Sequence, residues 1–456
     1  MTLSSVSQAR PFIAASSARA SLAAAEQAPV AGDSFVLNQQ QPAPPAQQPP
    51  VQQPPTQPTP PQQPPAPPQP ELKEWTVLVY SVSDNNLYTY MQTDLDEAER
   101  IGSTNEMTLL TETSHQPRGG SVVRVKLETD ATPGLKSPVL QDLGKDYDMG
   151  QSKSLSESIA WAMKEFPSKH FMCILSDHGG GWQGANQSES QNSWMNISDI
   201  EAGLKGAQEL TGKKIDVLGF DECLMASTEV AHALQGCADY MVASEEVEGG
   251  AGWQYDEALG GAKSTNGNSR VLNPKLLNYA ATALRARDTI TPESMAKGIV
   301  QMSEGHQRDL GVMSAINLNK MGAVSAAVDN FAGAVLESNL GKADFAPVAQ
   351  QTQKFYRFGD LGHFTQLAGQ KFGGKIAEAA EQVKAAMGEA VVAEQHSTKY
   401  PNAKGLNIEL NRQAGFVQND IPNMSQESRD RINTTPYKDQ KWSQETRWDE
   451  MLRKVR

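Results

Sequence analysis

The chain has 456 residues, 40 of them basic and 53 acidic, for a formal net charge of −13. With no Lys/Arg cluster to relieve that charge, non-specific nucleic-acid binding is not expected, and no apolar stretch is long enough to predict a transmembrane helix. Three cysteines, Cys173, Cys223 and Cys237, are too few for a disulfide framework.

Residues 1–38 are rich in Ser and Ala and read as a disordered tail. A secretory signal would need a basic start and an unbroken apolar core, which Arg10, Pro11 and Arg19 interrupt. The composition also fits the unstructured export signals of specialised bacterial secretion systems, so both a cytoplasmic and an exported protein stay open. Residues 39–71 form a Pro/Gln-rich linker; 15 of the chain's 27 prolines fall between 39 and 70, which predicts an extended spacer rather than a docking motif.

Ordered structure is expected from residue 72. Trp75 to Val82 reads as a strand, Leu87 to Ile101 as an amphipathic helix stopped by Gly102, and Met107 to Thr111 as a second strand. Ser121 to Glu128 is expected to pair antiparallel across the Pro117–Gly120 turn. Asp148-Met-Gly150 leads into a helix over Ser154–Phe166 that Pro167 stops. Two short apolar runs follow, Phe171–Ser176 and Ile215–Phe220, each with the composition of a buried parallel strand. Between them Ser198 to Leu210 has helical spacing, Ser198 as its expected cap and Gly212 at its end. Strand, helix, strand makes one right-handed crossover, which places the two strands side by side. A helix over Leu224–Gln235, a strand over Tyr240–Ala243 and an acid- and glycine-rich loop over Ser244–Trp253 come next. The alternation predicts an α/β core over 72–270, a mostly parallel sheet of about six strands with helices on both faces. The portion 271–456 is more helical (Pro274–Arg287, Pro292–Ser303, Met321–Leu336, Ala377–Val392), with strands over Leu310–Ile316 and Gly405–Leu410. It either completes the core or is appended to it.

Both apolar runs break off into chemistry. The first ends in Asp177-His178-Gly-Gly-Gly-Trp182 and the second in Asp221-Glu-Cys223-Leu-Met225. His178 and Cys223 are thereby expected just past the carboxyl ends of adjacent parallel strands, the edge where open α/β sheets place their sites. A Cys and a His there form a nucleophile and base. The glycines after His178 permit close approach of a substrate backbone and free N–H groups that suit an oxyanion. A helix starting at Cys223 would lower the thiol's pKa. A zinc site is disfavoured because no Cys-x-x-Cys or His-x-x-x-His occurs, and no metal ligands are assigned. A phosphatase loop would need Arg where Glu229 stands, and Gly-x-Ser-x-Gly is absent. Gly369–Lys375 has the spacing of a phosphate-binding loop, but Ile376 replaces the magnesium-binding hydroxyl and no strand precedes it.

These two motifs together resemble those of the clostripain family of cysteine endopeptidases. Trp75–Leu87, Asp148–Gly150, Gly311–Leu318 and Trp448–Leu452 are similar as well. The resemblance spans residue 72 to the C-terminus, thinly between about 320 and 440. It implies a caspase-like fold and cofactor-free hydrolysis of protein or peptide substrates by a Cys223–His178 dyad. Cys223 attacks the scissile carbonyl, His178 assists its deprotonation or protonates the leaving amine, and the backbone N–H groups of Gly179 and Cys223 form the oxyanion hole. It further implies that Asp221, two residues before the nucleophile, lines a pocket for Arg or Lys. Glu245, Glu246 and Glu248 are offered for a second acid, although Gly249-Gly250-Ala251 could hold the matching place. Family members often cut themselves between the catalytic strands, where Lys205, Lys213 and Lys214 are the available sites. Calcium dependence varies in the family and the residues here do not decide it. The competing reading is an inactive relative that serves as an interaction protein through its Pro/Gln-rich tail.

Overall fold

The computed structural model describes residues 72–115, 119–250, 252–253, 255, 290–302, 311–411 and 436–456. The tail, the linker, part of the turn at 117–118, the helix expected over Pro274–Arg287 and position 251 lie outside the described residues.

The chain begins with β1 (Lys73–Ser81), α1 (Tyr88–Ile101), β2 (Met107–His115), β3 (Ser121–Lys126), β4 (Val139–Gly144), α2 (Ser152–Glu165) and β5 (Ser168–Ser176). A hairpin, β6 (Ala185–Ser188) and β7 (Ser193–Met195), precedes α3 (Ile197–Thr211), β8 (Ile215–Asp221), α4 (Thr228–Ala233) and β9 (Ala238–Ala243). The rest comprises α5 (Pro292–Met302), β10 (Val312–Asn317), α6 (Met321–Glu337), α7 (Lys342–Gln351), β11 (Lys354–Phe355), β12 (Phe358–Asp360), α8 (Leu361–Phe372), α9 (Gly374–Ala390), β13 (Val391–His396), β14 (Asn407–Ile408), α10 (Lys441–Glu445) and α11 (Trp448–Val455).

One nine-stranded sheet organises these elements, in the order β13-β10-β9-β8-β5-β1-β2-β3-β4. Its middle five strands, β9, β8, β5, β1 and β2, run parallel, as the crossover reading predicts. Antiparallel pairs extend it at both edges, β3–β4 on one side and β10–β13 on the other, which raises the count above the six expected. The buried strands look uniformly apolar, yet alternation divides them between two cores. Trp75, Val77, Val79, Met172, Ile174 and Val217 face α1 and α5, through Leu95, Ala98, Met295 and Ile299. Leu78, Tyr80, Cys173, Leu175, Leu218 and Phe220 face the other helical layer, among it Leu155, Ile159, Ile200, Leu204, Val230 and Val324.

Local departures have local causes. The cap of α3 is Asn196, not Ser198, because Asp199 three residues on returns a bond to the Asn196 N–H at 3.0 Å. The helix expected over Ala377–Val392 starts at Gly374 and stops at Ala390, since Val391 and the residues after it pair with β10. Gly369 and Gly374 fall in helices α8 and α9, so the Gly-x4-Gly-Lys spacing belongs to a helix junction and not to a phosphate loop. The helix expected from Leu224 starts only at Thr228. Leu224 itself adopts φ +69°, a left-handed conformation that ends any helix there.

Candidate active site

Strands β5 and β8 are paired in parallel with Ser176 opposite Asp221. Both overhangs start at the same level of the sheet, and the Asp177 N–H reaches the Asp221 carbonyl at 3.4 Å. The two loops then touch. Gly179 lies against the Cys223 carbonyl, and a Cβ placed on it would come within 2.9 Å of Glu222 Cβ and 3.0 Å of Met225 Cγ. The His178 loop is also tied to the β6–β7 hairpin, by bonds from Asn186 N–H to His178 O at 3.1 Å and from Gly180 N–H to Gly184 O at 2.9 Å. Gly179 faces Ala185 between those two bonds, which leaves its N–H outside the ladder. Asp177 anchors the loop: one carboxyl oxygen accepts from Asn85 Nδ2 at 2.6 Å, the other from the Gln187 N–H.

The His178 imidazole is held through Nε2, 2.9 Å from Asn86 Oδ1. A carbonyl oxygen only accepts, so Nε2 carries the proton and the Nδ1 lone pair is left for a proton from elsewhere. Burial lowers the His178 pKa to about 4, so at neutral pH the ring is the uncharged form that can act as a base. Asn86 sits in the Asp84-Asn85-Asn86 run that reads from sequence only as a loop after β1. Its role becomes visible once β1 and β5 are neighbours.

Cys223 lies beside the loop after β9. The Glu248 N–H donates to its Sγ at 3.4 Å, and the thiol faces the Glu248 carbonyl oxygen at 3.8 Å. The expectation of an activated thiol at a helix start is corrected by the structure. Helix α4 begins five residues later, and burial together with Glu248 pushes the thiol up to about 12. The resting pair is therefore a neutral thiol and a neutral imidazole.

Acids crowd this end of the sheet. Asp221 accepts from the Trp253 N–H at 2.8 Å and from the Tyr255 hydroxyl at 2.9 Å, and thereby fastens the loop after β9. Burial raises its pKa to about 6. Glu248 is buried against Asp221 and the Trp253 side chain, and burial and the neighbouring Asp221 raise its pKa well above the usual range. Glu222 is buried with no donor among the described residues, and burial and Asp177 raise its pKa well above the usual range. Glu245 is turned elsewhere: its carboxyl accepts from the Gly405 N–H at 3.0 Å and adjoins Asp360.

The lysines between the two loops are remote. Lys205 is exposed on α3 and paired with Glu201 at 2.6 Å. Lys214 is paired with Asp239 at 2.5 Å. Lys213 follows the Gly212 cap at the amino end of β8, and the seven residues of that strand separate it from Cys223 by roughly 20 Å.

A parallel α/β sheet with a cysteine and a histidine on adjacent strand ends is the architecture of the caspase-like cysteine peptidases. More narrowly, the chain belongs to the clostripain family, whose model matches residues 79–454. Clostripain of Hathewaya histolytica is 24% identical over 302 residues, 56% of this chain and 55% of that one, so the chain spans about half the length of the curated relative it matches. Among solved structures, an inactive zymogen C11 protease from Parabacteroides distasonis is 20% identical, covers 83% of this chain and 99% of its own, and superposes with a TM-score of 0.57. A secreted C11 cysteine protease from Bacteroides thetaiotaomicron gives 14% identity, coverage of 83% and 100%, and the same TM-score of 0.57. At such identities these two likenesses speak for the fold.

Proposed function

We propose that the chain is a cysteine endopeptidase that cleaves after Arg or Lys, with Cys223 as nucleophile and His178 as the group that takes its proton. The Asn86 contact supports this division of labour, because it leaves Nδ1 of the ring as the acceptor. As the Sγ attacks the scissile carbonyl, its proton passes to His178, which returns it to the leaving amine; water then hydrolyses the thioester. The N–H groups of Gly179 and Cys223, which have no partner among the described residues, are the proposed oxyanion donors.

The preference for a basic side chain is carried by one observation. Glu222 and Glu248 lie near the thiol and Asp221 adjoins both acids, and among the described residues no Lys or Arg is named as a neighbouring charge of any of the three. A substrate ammonium or guanidinium supplies the missing charge, and a guanidinium fork can engage two carboxylates. We assign Asp221 and Glu248 to this pocket; Glu245 braces the framework through Gly405. Any self-processing at Lys205, Lys213 or Lys214 is proposed as cleavage by a second copy, because the strand length keeps the turn at Lys213 away from its own Cys223.

The test is a peptide library profiled with wild type, Cys223→Ala and Asp221→Ala. Cleavage after Arg and Lys by wild type, none by Cys223→Ala and a lost basic preference in Asp221→Ala are expected. Turnover by Cys223→Ala overturns the nucleophile; an unchanged basic preference in Asp221→Ala overturns the pocket.

A further inference from the structure

The segment Gly405-Leu-Asn-Ile-Glu-Leu410 alternates apolar and polar residues, which from sequence describes a strand with one face in water. The structure leaves neither face in water. Leu406, Ile408 and Leu410 enter the core, and Asn407 and Glu409 are both 0% exposed. A buried Asn or Glu is costly unless hydrogen bonds satisfy it; Asn407 Oδ1 has no partner among the described residues, and of the bonds the two side chains do make, those of Asn407 Nδ2 and one at Glu409 Oε2 run to the loops that carry Cys223 and His178.

Asn407 serves the loops after β8 and β9 together. Its Nδ2 donates to the Leu224 carbonyl at 3.2 Å and to the Glu245 carbonyl at 2.8 Å. Its N–H donates to the Ala226 carbonyl at 2.9 Å, and its carbonyl accepts from Thr228 Oγ1 at 2.8 Å. Leu224 follows Cys223 and holds the left-handed φ of +69°. A non-glycine residue stays there only when its surroundings hold it, and the bonds from Asn407 and from the Leu224 N–H to Glu246 O (3.1 Å) are such holds. Glu409 serves the loop after β5. Its Oε2 accepts from Trp182 Nε1 at 3.0 Å and from Arg357 Nη2 at 2.9 Å, and its Oε1 accepts from the Asn411 N–H at 2.6 Å. Trp182 ends the His178-Gly-Gly-Gly run, and Arg357 lies over its ring at 5.7 Å.

Two residues apart on one face of an extended chain, Asn407 and Glu409 are roughly 7 Å from each other along the strand. One therefore ties the nucleophile loop and the other the histidine loop to a single short rod. We propose that Asn407 and Glu409 are positioning residues that set the separation of Cys223 and His178. The C-terminal portion then acts in the reaction without touching the substrate. The proposal rests on the reading of Cys223 and His178 as the reacting pair. It accounts for two fully buried polar side chains that core packing alone would replace with apolar ones. Misplacing a reacting group by about 1 Å costs up to about 100-fold in rate, so its signature is a fall in kcat.

The test uses the full chain, with kcat and KM measured per site titrated by a peptidyl electrophile, so that misfolded molecules do not count. Asn407→Ser, Glu409→Leu and Trp182→Phe should each lower kcat roughly 10- to 100-fold with KM altered less than about threefold. Glu409→Gln, which keeps an acceptor for Trp182, should recover most of the rate that Glu409→Leu loses. The Glu409→Leu/Trp182→Phe double variant should be no slower than the worse single, as expected when both act through one bond. Thr365→Val removes a buried hydroxyl that, among the described residues, bonds only within its own helix and should leave kcat unchanged. A lowered melting temperature with unchanged kcat in Asn407→Ser and Glu409→Leu overturns the proposal, as does an equal loss in Thr365→Val. Cys223→Ala is run alongside: turnover by that variant overturns the reacting pair itself, and a dead Cys223→Ala with unmoved brace variants overturns the brace alone.

Discussion

Replacing Gly179 with Ala asks how tightly the two catalytic loops must close on each other. Gly179 has an ordinary backbone conformation for an L residue, since it is absent from the left-handed glycines, so the effect is steric. The added Cβ would lie 2.9 Å from Glu222 Cβ and 3.0 Å from Met225 Cγ, and it would overlap the Cys223 carbonyl. Carbon–carbon contact is relaxed at about 3.5–4.0 Å, so the loops must part by roughly 0.5–1 Å. The Glu222 and Cys223 contacts are backbone or Cβ atoms and cannot swing aside. Overpacking of this kind costs about 1–3 kcal/mol of stability. The same displacement falls on the Cys223–His178 pair and on the Gly179 N–H, for which about 100-fold in kcat is expected. Steady-state kinetics per titrated site, alongside thermal unfolding, measures both. Wild-type kcat in Gly179→Ala with a folded protein would refute the close apposition of the loops as a requirement for turnover.

Asn86→Ala frees the imidazole and should lower kcat about 10-fold or more with little change in KM; an unchanged kcat removes Asn86 from the site. The pH profile of kcat/KM for a basic peptide should show an acid limb near pH 6, because Asp221, raised to about 6 by burial, loses its charge below that value and with it the attraction for the substrate cation. His178, lowered to about 4, stays an unprotonated base through that limb, so Asp221→Asn should abolish the limb near 6 and leave one near 4. A limb near 6 that persists in Asp221→Asn would assign it elsewhere. Cys173→Ala and Cys237→Ala should keep activity and lose on the order of 1 kcal/mol of stability each, since both thiols are buried; loss of turnover in either contradicts Cys223 as the sole nucleophile. Gly388→Ala, on the exposed side of α9 with no atom near its would-be Cβ, should stabilise by about 0.5–1 kcal/mol in thermal unfolding.

What the sequence alone determined is what is encoded locally. Apolar runs that break into Asp177-His-Gly-Gly-Gly and Asp221-Glu-Cys announce buried parallel strands with reactive ends, and the Ser198–Leu210 periodicity between them requires a crossover that makes the strands neighbours. From these few residues the parallel centre of the sheet follows, and with it the apposition of the loops that carry His178 and Cys223. Elements whose partners are distant in sequence are not announced in this way. Val391-Val-Ala continues an Ala-rich helical pattern and becomes a strand only because β10 offers an edge. The thiol's protonation escaped the sequence for a similar reason. Leu224 would extend a helix by propensity, and its left-handed turn is held by Glu246 and by Asn407, more than 180 residues away. Asn407 and Glu409 carry the same lesson. Period-2 alternation shows that two faces of a strand differ, but only the tertiary structure decides whether the polar face meets water or the catalytic loops.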